Sequence, residues 1–428
     1  MKLGHGDPRL PDRFDVREPL AEEGTSLETV AEEWSTLSQS TRDALAPFFV
    51  PPFYGGSWAD SQPAGRAKAR AGAPQAAAAT STPGGGLCTA LGEISDVWGL
   101  VRTQNRKVTV WYQGSFAAGR ERARAIAAAI DQRIWPRLTG QFRAPLPDGG
   151  AGAACQGPDS SIDLVLGPGL GGDNGQQIDY PPGCLGTNSG LVLVNRALSG
   201  DKLLAVSAHE LMHMIQESYA STTGCSWEGN WLLEATAKWS EDLAYPAFNT
   251  EHPYASGFFS TPEQPLETFE REGTRHYGSY VFFLYLARRY SAELVSATFE
   301  GLSQARPLAA IDTALFDNGG GLDDEWHEFA RHNWNAPPVD RYRSWDRLTT
   351  GTTADDYQSI DAPRSHEWYF GPMEHLSAAY NAYDFGSVSS VGHVTVRNPL
   401  RGEDDARLQA IVELADGTRK VENWTERE

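Results

Sequence analysis

His209-Glu210-Leu211-Met212-His213 sets two imidazoles four residues apart with a carboxylate beside the first. On a helix, positions i and i+4 share a face, so both rings can reach a single tetrahedral ion. Glu210 would lie about 100° round the same helix, where its carboxylate reaches a water on the ion rather than the ion itself. Zinc lowers the pKa of such a water toward neutrality, and the carboxylate can take its proton during attack on a carbonyl. The pattern predicts His209 and His213 as Zn2+ ligands and Glu210 as general base. Leu203, Leu204, Val206 and Ile215 flank the motif without a proline, which predicts the helix that the chemistry needs.

Two imidazoles leave the ion short of a third protein ligand. The metzincin pattern needs Gly and His three and six residues past the second His, but Gln216 and Tyr219 stand there, which excludes that class. A second helix is predicted over residues 229–243, with Trp231, Glu234, Lys238, Glu241 and Asp242 close to one flank. An H-E-x-x-H helix followed some twenty residues later by Trp231-Leu232-Leu233-Glu234 on another helix resembles the gluzincin metallopeptidases. The run Ser207 to Gln216 is nearest in style to secreted bacterial enzymes of the hyicolysin-like type. Tyr277-Gly278-Ser279-Tyr280-Val281-Phe282-Phe283 is similar to the helix that follows in such proteins. Many members carry Asn-Glu-Gly where this chain has Leu233-Glu234-Ala235. The resemblance implies a zincin-like fold, with Glu234 as the third zinc ligand, and zinc-dependent hydrolysis of peptide bonds, here read as endopeptidase action on a peptide or protein substrate. A non-catalytic zincin-fold binding protein of the cell surface is the alternative, and zinc-dependent hydrolysis of a non-peptide amide or ester is a third. The retained Glu210 favours an enzyme.

Further roles are assigned by chemistry. Zinc-bound imidazoles usually give their second nitrogen to a carboxylate or carbonyl. Glu241 or Asp242, two turns past Glu234, could serve, or could form a solvated acidic helix end. The oxyanion of peptide hydrolysis needs a donor besides zinc. Tyr277 or His276, just before the apolar helix, is the candidate, against an ordinary capping or packing role. Glu217, one turn past His213, reads as solvated. His327, His332, His366, His375 and His393 lack ligand spacing and read as structural.

The elements that must position these residues follow an α+β order. Lys107 to Tyr112 is a predicted strand, Arg120 to Leu138 a helix with Ile126, Ile130 and Ile134 on one stripe. Ile162 to Leu166 and Leu191 to Val194 are further short strands, the second leading into the motif helix. Residues 1–61 read as an N-terminal helical extension or prosegment, with a stripe of Val30, Trp34, Leu37, Leu45 and Phe48 before Pro51-Pro52. Residues 62–87 read as an Ala/Gly/Pro-rich linker. A zincin-like catalytic domain is expected over 88–335 and a C-terminal β-rich domain over 336–428. That last region carries alternating runs at Gly392 to Val396 and Leu408 to Leu414 and a hairpin signal at Asp416-Gly417. Its return strand has hardly begun at Glu428, so further strands are expected beyond.

The bulk composition sets the bounds. The chain has 428 residues, 40% hydrophobic and 21% charged, with a net charge of −20. Nucleic acid and anionic membrane surfaces both demand a positive face, so neither is an expected partner. No apolar run approaches the roughly 18–20 residues that a membrane helix needs, so no membrane insertion is expected. The chain is expected to act as a monomer. Cys88, Cys155, Cys184 and Cys225 show no C-x-x-C pair. They are expected to pair as two disulfides, Cys155 with Cys184 and Cys88 with Cys225, which suits an extracellular or cell-surface setting. The N-terminus lacks a signal peptide, so a native start upstream is expected.

Overall fold

The β-branched runs of the sequence become the centre of one sheet. The computed structural model describes residues 36–55, 57–61, 94–149, 157–167, 174–180, 189–221, 229–270, 273–361, 373–386 and 407–425. All four cysteines, the Ala/Gly/Pro-rich stretch and the strand expected at Gly392 to Val396 lie outside these residues, as does the start of the N-terminal helix. The chain has α+β architecture and divides into two compact units. One comprises Met1–Thr250 with Phe299–Pro307, the other Glu251–Thr298 with Leu308–Glu428.

The first unit opens with α1 (Gln39–Leu45), whose N-cap Ser38 accepts from the Thr41 N–H at 3.2 Å. Strands β1 (Trp98–Arg102) and β2 (Val108–Gln113) pair antiparallel, and α2 (Gly119–Ala129) follows. A π-helical turn (Ile130–Ile134) joins α2 to α3 (Trp135–Thr139). Pro136, at the start of α3, has no N–H to give to a regular ladder, which accounts for the wider turn just before it. Ile126, Ile130 and Ile134 are all fully buried, so the predicted stripe survives the irregularity.

Strands β3 (Ile162–Gly167), β4 (Gly175–Tyr180) and β5 (Ser189–Asn195) complete a five-stranded sheet of order β1-β2-β3-β5-β4. The central β2, β3 and β5 run parallel, in the register Val110↔Leu164↔Val192. Leu164, Val165, Leu166, Val192 and Val194 are at most 1% exposed, as expected of strands covered on both faces. The two outermost strands, β1 and β4, run antiparallel to their neighbours.

From β5 the chain turns at Asn195–Leu198 into α4 (Gly200–Gln216), which carries the histidine motif. Gly200 has φ +59, a left-handed conformation that favours glycine, and it lets the chain reverse from strand into helix. Helix α5 (Asn230–Ala244) packs on α4, with Trp231, Trp239, Ala235 and Ala237 buried.

The second unit is mainly helical: α6 (His252–Phe259), α7 (Arg275–Gly278), α8 (Tyr280–Arg289), α9 (Ala292–Gly301, whose last residues belong to the first unit), α10 (Pro307–Phe316), α11 (Leu322–His332) and α12 (Arg341–Asp346). Tyr280 to Leu286 are buried without exception. Two small two-stranded sheets follow: β6 (Asp356–Ser359) with β7 (Asn381–Asp384), parallel, and β8 (Gln409–Glu413) with β9 (Arg419–Asn423), antiparallel. The β8–β9 hairpin turns at Gly417, φ +81, after Asp416, whose carboxylate accepts from the Thr418 N–H at 2.8 Å. No described helix is long and apolar enough to cross a membrane.

Candidate metal centre

Helices α4 and α5 bring three nitrogen and oxygen donors together. His209 and His213 stand one helical turn apart, their rings 4.9 Å between centroids and inclined at 78°. Glu234 Oε2, from α5, lies 3.4 Å from His209 Nε2 and 3.5 Å from His213 Nε2. One donor atom from each residue falls within 4.8 Å of the others. Adjacent ligands on a tetrahedral ion with bonds of about 2.0–2.1 Å sit roughly 3.3 Å apart. The two Glu234 distances match that edge, and two imidazoles with one carboxylate form a donor set suited to Zn2+. The residues fit the metal.

Electrostatics point the same way. Burial disfavours a charged imidazole at His213, but the Glu234 carboxylate, helped by Glu210, outweighs it and pushes the His213 pKa up to about 9. A site whose carboxylates hold a proton that firmly favours a cation, and a metal ion competes for the same lone pair. Side-chain exposure rises from 2% at His209 to 12% at His213 and 16% at Glu234, so solvent reaches the centre from the Glu234 side.

Behind each imidazole stands a polar partner. Glu241 Oε1 lies 3.2 Å from His209 Nδ1 and 2.7 Å from Lys238 Nζ, and Thr250 Oγ1 donates to Glu241 Oε2 at 2.8 Å. Burial alone would raise the Glu241 pKa, but Lys238 and His209 overcome it and bring it down to about 2, so Glu241 faces the ring as a carboxylate. His213 Nδ1 lies 2.8 Å from Gln216 Oε1. Gln216 Nε2 donates in turn to Leu233 O and Thr236 Oγ1, each at 2.9 Å, on the helix that bears Glu234. The same α4–α5 contact therefore orients the His213 imidazole and fixes the turn that carries Glu234.

Glu210 is buried on α4, 1% exposed. Its carboxylate lies against Gly175 at the start of β4: a Cβ built on that glycine would fall 2.3 Å from Oε1 and 2.6 Å from Cδ. Only a residue without a side chain leaves the Glu210 carboxylate this position.

The remaining sequence candidates are placed as follows. Asp242 is buried on α5, 4% exposed, one residue round the helix from Glu241. His276 and Tyr277 belong to the second unit, in α7. There they are 2% and 3% exposed, with rings 4.2 Å apart beside Phe269 and Tyr254. Glu217, expected in solvent, is only 8% exposed, because the end of α4 is enclosed as deeply as its middle. Among the partners named here, Gln216 and Lys238 entered the sequence argument only as a mismatch and a flank residue. Their one available signal was helical spacing, three residues past His213 and three before Glu241. Gly175 carried no signal, since its role depends on a strand laid beside a distant helix.

No protein-family model matches the chain, and no curated protein matches it closely enough to count as a relative.

Proposed function

We propose that the chain is a zinc-dependent metallopeptidase of the gluzincin type, with a zincin-like first unit and His209, His213 and Glu234 as the metal ligands. The observation that carries this reading is the convergence of the two Nε2 atoms and Glu234 Oε2, with spacings of 3.4 and 3.5 Å. A zinc ion held there would supply Lewis acidity toward the scissile carbonyl and acidify a water. The chain's own groups do the rest. Glu210, on the same helix and buried against β4, takes a proton from the attacking water and returns it to the leaving amine nitrogen. Glu241, charged and anchored by Lys238 and Thr250, keeps the His209 ring turned toward the ligand cluster. Gln216 does the same for His213.

The substrate is a peptide or protein. An extracellular setting accords with an acidic chain that would meet such substrates outside the cell. The test compares wild type with Glu210→Gln, measuring bound zinc and cleavage of casein or a peptide library. Equal zinc in both, with chelator-sensitive cleavage in wild type only, is the expected result. Protein that takes up no zinc at this site overturns the assignment, and zinc without cleavage in wild type favours a binding role.

A further inference from the structure

A second convergence of metal-type donors lies in the other unit, and nothing in the motif reading involves it. Glu251, the N-cap of α6, and His252, its first residue, meet Asp346, the last residue of α12, 94 positions along the chain from His252. His252 Nε2 is 2.9 Å from Asp346 Oδ2 and 3.4 Å from Glu251 Oε1, and one donor atom from each of the three lies within 4.8 Å of the others. The Glu251 and Asp346 side chains are each 1% exposed, while His252 is 18% exposed and leaves a path from solvent.

Two buried carboxylates aimed at one imidazole make an unbalanced set. The three side chains by themselves sum to one net negative charge even with His252 protonated, and burial favours a closer charge balance. A divalent cation with a neutral imidazole brings the sum to zero. A second observation concerns Asp346 alone. Its Oδ1 is buried and, among the described residues, has no hydrogen-bond partner, although a carboxylate oxygen normally finds one.

We propose that Glu251, His252 and Asp346 form a second metal site, independent of the first, that takes a transition-type divalent cation such as Zn2+. An imidazole nitrogen with two carboxylates suits zinc or manganese, whereas calcium takes six to eight oxygens. The ion takes the place of the direct His252–Asp346 contact and ties the start of α6 to the end of α12. Its role is structural, because it cross-links segments far apart in sequence.

The test counts metal on the full chain, stripped with a chelator, reloaded with Zn2+ and desalted. Wild type should hold about two ions per chain, and Asp346→Asn, His252→Gln and His213→Gln about one each. In His213→Gln, which keeps only the second site, Zn2+ should raise the Tm. Wild type with one ion and His213→Gln with none overturns this proposal and leaves the catalytic site standing. Wild type with one ion, retained in His213→Gln and lost in Asp346→Asn, supports it and removes the catalytic site instead. Reloading by Ca2+ but not by Zn2+ overturns the donor-class argument. The wild-type count needs no variant to fold.

Discussion

Replacing Gly175 with alanine adds one methyl group to β4, and the first thing that methyl meets is the carboxylate of Glu210. The new Cβ would lie 2.3 Å from Oε1, 2.6 Å from Cδ and 2.7 Å from Cγ. Ordinary contact begins near 3.4 Å, so Oε1 must retreat by 3.4 − 2.3 = 1.1 Å. Since the clashing atoms belong to one side chain, the fold can absorb the shift, and overpacking of this kind costs about 1–3 kcal/mol. Catalysis is less tolerant: a displacement of about 1 Å in a reacting group lowers rate by about 10²-fold, or roughly 2.7 kcal/mol in the barrier. Gly175→Ala should therefore keep its zinc, melt within a few degrees of wild type and lose about 10²-fold in kcat/KM on a fluorogenic peptide. KM should change much less than kcat. Undiminished kcat/KM would refute the claim that Glu210 works from its position beside β4. Loss of zinc in step with activity would place Gly175 against the ligands instead.

Glu241→Gln removes the charge behind His209 and should weaken zinc binding by about 10–100-fold, measured by competition with a chromogenic chelator. Unchanged affinity would reduce Glu241 to a partner of Lys238. Gln216→Ala should weaken zinc binding in the same direction, since it frees the His213 ring and loosens α4 from α5 at once. The pair Asp148 and Asp163 sets a pH dependence of stability. Burial pushes the Asp148 pKa up to about 6 and Asp163 well above the usual carboxylate range, although Gly157 N–H and Trp111 Nε1–H donate to them. A folded-state pKa above the unfolded one means that the stabilisation is complete below about pH 4 and is lost as pH rises through about 6. Asp148→Asn should flatten that loss and be more stable than wild type at pH 8 by about 1–3 kcal/mol in urea denaturation. Equal stability at pH 8 would show that the two carboxyls share no burden there.

Legibility in the sequence followed how local each feature is. His209, Glu210 and His213 could be read because one helix carries them and its periodicity alone puts the rings together. Glu234 required a resemblance, because which turn of α5 faces α4 is fixed by packing around Trp231 and Trp239. The central strands announced themselves as buried β-branched runs. Strand β4, Gly-Gln-Gln-Ile-Asp-Tyr, did not, since an outermost strand needs no continuous apolar face. In β1, Gly99 interrupts the pattern for a reason visible only in register: it sits opposite Tyr112, whose ring would lie 2.6 Å from any Cβ there. His252 and Asp346 were invisible for the opposite reason to His209 and His213: 94 positions separate them, and no periodicity spans that distance.

Helix α5 carries both Glu234, the proposed third metal ligand, and Glu241, the carboxylate beside His209, seven positions later. Each residue advances the helix by about 100°, so seven positions return almost to the starting side. Inserting one residue between Lys238 and Glu241 would delete no functional group, yet would swing Glu241 a quarter-turn or more relative to Glu234 and carry it out of step with Lys238. Point substitutions at these two positions can be graded and partly compensated; a frame change within the helix cannot. The proposed centre would thus be inherited as a phase along α5, and lineages of this chain should vary the residues between Glu234 and Glu241 far more readily than their number.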